Sequence, residues 1–263
     1  IFKALLCLKT RNGIILSPHP RARNSTRAAA MVILRAAVEA GAPENIIDCL
    51  EEPSAELTQH LMSHRGVNLI LATGGPGMVR AAYSSGTPAI GVGAGNTPVV
   101  IDATADVRMA VNSILLSKTF DNGMICASEQ TVVAEAGVAD AVREEFIKRG
   151  AWFVDDAQSE ALAKTLFVDG ALNSAIVGQS ASSIAAMAGI SVPETTKVLI
   201  AERAAVRPDD PFAHEKLSPV LGFYRVPDFP SAVDTAQSLV LLGGAVAVAV
   251  GAGMICLPAG LIA

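Results

Sequence analysis

Apolar positions along this chain follow two rhythms. Short aliphatic runs, ALLCL (4–8), GIILS (13–17), NIIDCLEE, VNLILAT (67–73), TPAIGV (87–92), 131–135, 197–201 and 220–226, predict strands. Between them, apolar residues three and four apart predict helices over 25–43, 54–64, 105–118, 138–149, 158–166, 181–189 and 230–241. In the first helix Ser25 is the expected N-cap, Ala29, Val32, Ile33, Ala36 and Ala40 share a face, and Gly41 with Pro43 ends it. Strands that are apolar throughout, alternating with helices, predict a parallel sheet covered on both faces, so the fold class is α/β. A soft boundary near Ser117 divides the chain into 1–117 and 118–263.

The tail AVAVAVGAGMICLPAGLIA (245–263) carries no charge and has the length of a membrane span. Gly251, Gly253, Pro258 and Gly260 interrupt it and no basic residues flank it, which favours a buried strand-turn-strand segment; separate ordered pieces joined in the numbering would read the same way. The composition, 51% hydrophobic against 17% charged, supports a buried core. A net charge of -5 argues against nucleic acid or an anionic membrane as partner. Arg11, Arg21, Arg23 and Arg27 nevertheless gather near the start, as a small-anion site or a solvated face. Cys7, Cys49, Cys126 and Cys256 form no C-x-x-C pair, and free thiols suit a reducing compartment. A start at IFKALLCLK, with no targeting pattern, reads as an internal fragment of a cytosolic protein.

Four stretches hold candidate chemistry. In SKTFDNGMICASEQ (117–130), Asn122-Gly123 makes a turn just before Cys126. That thiol is either a small buried hydrophobe or a nucleophile able to form a thiohemiacetal or thioester. LATGGPGMV (71–79) ends a strand at Thr73-Gly74-Gly75 and opens a helix, presenting backbone N–H groups suited to a pyrophosphate. In IGVGAGNTPVVID (90–102), Gly91, Gly93 and Gly95 allow a flat ligand close to the backbone, or simply make a tight turn. PFAHEKLSPVLG (211–222) sets His214 and Glu215 ahead of a strand, facing a ligand or solvent. His60 and His64 have metal-face spacing, but without a third ligand a surface helix is the simpler reading and no metal is expected.

Taken together, SPHPRA, ILATGGPGMVRAAYSSGTPAIGVGAGNTP, SKTFDNGMICASEQ and PFAHEKLSP closely resemble the CoA-acylating aldehyde dehydrogenases, including the aldehyde dehydrogenase half of bifunctional aldehyde-alcohol dehydrogenases. The resemblance runs to about residue 244. It implies an aldehyde dehydrogenase fold, with a Rossmann-like NAD domain (1–117) and an α/β catalytic domain (118–263). Cys126 stands at the family's nucleophile position. Cofactor contacts fall on Gly75 and Gly93, on Glu215 for the nicotinamide ribose hydroxyls, and on Ser17 and His19 near the adenosine end. The implied reaction interconverts acetaldehyde, NAD and coenzyme A with acetyl-CoA and NADH in fermentation. The implied partners are coenzyme A and a small aldehyde, in a cytoplasmic homo-oligomer that forms filaments in the bifunctional members.

Hydrolytic aldehyde dehydrogenases carry a glutamate base where this chain has Val92, in Val92-Gly93-Ala94-Gly95-Asn96. An isopropyl group takes no proton, so a thioester there awaits a thiol rather than water. The family's upstream asparagine and its glycine-histidine-threonine motif after Gly244 do not appear, so the resemblance implies a fold incomplete at both ends. The alternative reading is a truncated, non-catalytic domain with an assembly role.

Overall fold

The computed structural model describes residues 1–93, 95–243 and 249–250. Two compact units divide at 93/94. The first runs α1 (Phe2–Lys9), β1 (Ile14–Leu16), α2 (Arg23–Glu39), β2 (Ile47–Cys49), α3 (Ala55–Met62), β3 (Ile70–Thr73), α4 (Pro76–Tyr83) and β4 (Ala89–Val92). Strands β1 and β2 pair in parallel, as do β3 and β4, each pair spanned by a helix in the Rossmann manner. ALLCL, expected as a strand, is the helix α1. Its residues are Phe, Lys, Ala, Leu and Cys with no β-branched member, and Ala4 and Leu8, one turn apart, pack with Ala30 and Ile47. Helix α2 begins at Arg23 rather than at a Ser25 cap. A short 3-10 turn, Pro20–Ala22, leads into it and leaves Ser25 inside the first turn.

The second unit runs β5 (Pro98–Ile101), α5 (Val107–Thr119), β6 (Thr131–Glu135), α6 (Ala136–Lys148), β7 (Ala151–Val154), α7 (Asp156–Leu166), β8 (Phe167–Val168), β9 (Ala171–Leu172), α8 (Ala181–Met187), β10 (Val198–Arg203), β11 (Val220–Val226), α9 (Phe229–Gly243) and β12 (Ala249–Val250). Its sheet has the order β12-β5-β6-β11-β10-β7 and every ladder is parallel. Side chains alternate between faces. Val99, Ile101, Val132, Ala134, Leu221 and Phe223 pack with α5 and α6, while Val100, Val133, Tyr224 and Val226 pack with α9. Each such fully buried aliphatic or aromatic side chain stabilises the unit by roughly 1.5–3 kcal/mol. The soft boundary near Ser117 falls inside α5, and that helix covers the second unit's sheet, so the compact division lies earlier, after Gly93. The strand-turn-strand reading of 245–263 falls outside the described residues, apart from the β12 backbone.

No helix among the described residues is long and apolar enough to cross a membrane.

Candidate functional site

Strands β5, β6 and β11 lie side by side, with Pro98 and Gly222 both aligned to Thr131. The segments that enter them, Asn96–Thr97, 120–130 and 211–219, therefore meet at the amino edge of the sheet. Ligands of open α/β sheets usually gather at the opposite, carboxyl edge.

The segment 120–130 leaves α5 through a left-handed turn. Asp121 (φ 50, ψ 36) and Asn122 (φ 50, ψ 38) are followed by Gly123 at φ 68. Asn and Asp tolerate this conformation because their short side chains bond locally, and the Asn122 Nδ2 donates to Gly178 O at 2.9 Å. Gly123 has no such freedom to be replaced: an added Cβ would stand 2.7 Å from Ser218 O and 3.0 Å from Lys118 O. The turn thus requires glycine on two independent grounds. Beyond it the Ser128 N–H donates to Ile125 O at 3.0 Å, and Thr97 Oγ1 donates to Cys126 O at 3.4 Å. The backbone of Cys126 is held while its side chain remains half-buried, between exposed Ile125 and Ala127. Cys49, by contrast, is buried, and burial raises its thiol pKa. Cys256 lies outside the described residues.

Next to this turn lies a buried polar cluster that the sequence reading passed over. Lys118, Gln130, Lys216, Ser218 and Asn96 are all fully buried. The Gln130 Oε1 accepts from Lys118 Nζ at 3.4 Å and from the Lys216 N–H at 3.1 Å. Asn96 Nδ2 donates to Ala213 O at 2.6 Å, and Lys216 Nζ donates to Phe212 O at 2.9 Å and His214 O at 2.6 Å. Burial pulls the Lys118 ammonium down to about 7, against the opposing influence of the Glu129 and Glu215 charges. Lys216 is likewise held well below its ordinary value, by burial and then by the Lys118 charge. Burial pushes both Glu129 and Glu215 upward. A signal for Lys118 was present in the sequence: it continues the stripe Val111, Ile114, Leu115 that α5 turns toward the core.

Glu215, a residue the sequence singled out, accepts a hydrogen bond from the Gly95 backbone, while its Oε1 is buried without a partner. The structure therefore brings Cys126 and Glu215 to one edge of one sheet. His214 is turned elsewhere, its Nε2 2.8 Å from Pro208 O.

In the first unit, Gly75 is the N-cap residue of α4 and Gly93 follows β4. A Cβ at Gly75 would meet nothing within 4 Å, and one at Gly93 only Val79 Cγ2 at 3.8 Å. Neither glycine is demanded by packing, whereas Gly91 is, since a Cβ there would lie 2.7 Å from Val79 Cγ1. Ser17 and His19 are exposed: Ser17 Oγ lies 2.7 Å from Thr58 Oγ1, and His19 Nδ1 accepts from the Arg21 N–H at 3.2 Å. Arg23 and Arg27 are paired at the surface with Glu52 and Glu51, at 2.6 and 2.8 Å. Among the described residues no three His, Cys, Asp or Glu converge on a metal position, and the His60 and His64 rings lie 6.2 Å apart on α3. Within the first unit, the open space over Gly75 and Gly93 admits close approach of a ligand to the backbone; within the second, the orphaned Glu215 Oε1 can accept from a hydroxyl donor.

Known proteins resemble this chain over most of its length. The bifunctional aldehyde-alcohol dehydrogenase of Escherichia coli is 59% identical over 244 residues, covering 93% of this chain and 27% of that protein. The crystal structure of an acetylating aldehyde dehydrogenase from Geobacillus thermoglucosidasius superposes with a TM-score of 0.91 at 45% identity, over 95% of this chain and 56% of that one. A Rhodopseudomonas palustris propionaldehyde dehydrogenase, solved with bound CoA and an acylated cysteine, gives 0.78 at 35% identity, over 87% and 52%. The chain thus spans only part of the length of the relatives it matches. The model of the aldehyde dehydrogenase family itself matches residues 1–166, and with these likenesses it shows that the chain belongs to the aldehyde dehydrogenase family.

Proposed function

We propose that this chain belongs to a CoA-acylating aldehyde dehydrogenase that interconverts a small aldehyde, NAD and coenzyme A with acyl-CoA and NADH, acetaldehyde being the expected substrate. The observation that carries the reading is Cys126, half-buried behind a left-handed turn whose glycine cannot be replaced. The Cys126 thiolate adds to the aldehyde carbon, and the carbonyl π pair moves to oxygen, where backbone N–H groups including that of Cys126 hold it. NAD, when bound, accepts the hydride that leaves this carbon. The product on the protein is a thioester at Cys126, which the coenzyme A thiolate attacks, restoring the cysteine thiolate. Glu215 offers its free carboxylate oxygen to the nicotinamide ribose hydroxyls, and Gly75 and Gly93 leave room for the dinucleotide backbone. Ser17 and His19 are assigned to the adenosine end.

Val92 sets the branch of chemistry. It carries no base at the position where hydrolytic members hold a glutamate, so water attacks the thioester slowly and a thiol is needed. Acylated cysteine and CoA in the Rhodopseudomonas palustris relative support the same scheme. The test uses the full-length protein. With aldehyde and NAD alone, NADH appears as a burst equal to active sites and then stalls; adding coenzyme A restores turnover and yields acyl-CoA. Steady NADH with free carboxylic acid in the absence of coenzyme A would return the protein to the hydrolytic branch. A homo-oligomer, filamentous in the manner of bifunctional members, is part of this reading, and light scattering with electron microscopy tests it.

A further inference from the structure

The scheme above leaves Lys118 unused. It is wholly buried on the last turn of α5, and α5 delivers it to Gln130 rather than to solvent. One amide oxygen, Gln130 Oε1, takes both the Lys118 ammonium and the Lys216 N–H. Gln130 also closes the Cys126 segment: its Nε2 donates to Ser128 O at 3.3 Å and its N–H to Thr97 O at 3.0 Å. Lys216 directly follows Glu215. That oxygen is therefore the joint between the two functional segments, with Lys118 as its charged donor.

The surrounding charges are uneven. Glu129, on the Cys126 segment, and Glu215 face Lys118, and each keeps one buried oxygen, Oε2 and Oε1, without a partner. Lys216 is the other nearby cation, but its ammonium is spent on the carbonyls of Phe212 and His214. On the neighbouring helix α6, Glu145 and Arg149 pair with each other, and Arg149 reaches α5 only at Asn112. Both lysines draw on the Glu215 carboxylate, Lys118 more strongly than Lys216.

We propose that Lys118 is a positioning residue for the reaction. It fixes Gln130, and through it the segments bearing Cys126 and Glu215, and its charge lies among the buried carboxylates Glu129 and Glu215. The proposal rests on the reading of Glu215 as a cofactor contact. Burial brings the Lys118 ammonium to about 7, so its charge-assisted bond to Gln130 Oε1 weakens as the pH rises through neutrality, and with that joint loosened cofactor affinity falls.

The test measures binding rather than turnover, in the full-length Cys126→Ala protein so that the thiol does not titrate. Calorimetry of NAD from about pH 6 to about pH 9 is expected to show affinity weakening about tenfold as the pH rises through about 7. Adding Lys118→Met is expected to give the weaker affinity at every pH, with no inflection, in a protein whose unfolding transition is preserved. A flat profile in the parent overturns the proposal without needing any further variant. A folded Lys118→Met protein with the parent's affinity and profile overturns it too. Glu215→Gln, run alongside, separates the two levels. If it weakens NAD and Lys118→Met does not, the proposal alone falls; if it binds NAD like the parent, the cofactor reading of Glu215 falls and takes the proposal with it.

Discussion

Gly123→Ala probes the turn that presents Cys126. Two costs add. At φ 68 an alanine sits in the left-handed region, which costs an L-residue roughly 1–2 kcal/mol. Its Cβ would also stand 2.7 Å from Ser218 O and 2.8 Å from Ser218 C. Those are backbone atoms fixed at the entry to β11, so the overlap is relieved only by shifting one segment, at a cost of about 1–3 kcal/mol. The sum, about 2–5 kcal/mol, is a large fraction of a domain's stability, typically about 5–15 kcal/mol. Urea unfolding followed by Trp152, the single tryptophan and a residue of β7 in the second unit, reads it directly. Gly137→Ala is the control. It lies in α6 with nothing within 4 Å of the added Cβ, so alanine there is expected to be neutral or stabilising by about 0.5 kcal/mol. A Gly123→Ala protein within about 0.5 kcal/mol of the parent, or a Gly137→Ala loss of equal size, would refute the reasoning.

Other consequences are open to simpler assays. Iodoacetamide is expected to alkylate Cys126 ahead of buried Cys49, and Cys126→Ala to abolish acyl transfer while Cys7→Ala and Cys49→Ala retain it; mass spectrometry and the coupled assay read both. Gly75→Val and Gly93→Val meet little protein in the structure, so they are expected to weaken NAD binding at least tenfold, by calorimetry, with a far smaller change in stability. Lys118 has a folded pKa lowered to about 7 from 10.5, so between those values the unfolded chain binds the extra proton and stability rises with pH, by at most about 1.4 kcal/mol per unit. Lys118→Met is expected to remove that slope from unfolding curves measured between about pH 7 and about pH 9. Val92→Glu is expected to fold normally, because Val92 is 45% exposed and the new carboxylate keeps its water; thermal unfolding checks this.

The sheet of the second unit was legible because its strands are buried on both faces. TVVAE and VLGFYRV appear with the boundaries their apolar runs suggest, 131–135 and 220–226. The run ALLCL misled because periodicity does not distinguish a short buried helix from a strand, and the absence of β-branched residues was the better guide. AWFV, which forms β7, was overlooked although its four residues are all apolar, because so short a run sits directly between the helical patterns of α6 and α7. Cys126 and Glu215 were singled out through motifs. The Lys118–Gln130–Lys216 cluster was not, since buried lysine runs against the usual preference of that residue for solvent. Only its place on the apolar stripe of α5 gave it away. Tertiary joints such as Gln130 Oε1, which connect segments 86 residues apart, leave no local trace at all.

The inverted polarity of the sheet has a practical side for anyone modifying the protein. With the segments proposed to react at the amino ends of β5, β6 and β11, the turns that leave the carboxyl ends are free of that duty. Ala103–Thr104 after β5, Ala204–Ala205 after β10 and Pro227–Asp228 after β11 are exposed turns of this kind. A fluorophore, epitope or affinity handle placed there is separated from Cys126 by the length of a strand, about 13 Å for four residues. The same modification at the other rim, within 120–130 or 211–219, would be expected to silence the thiol it was meant to observe.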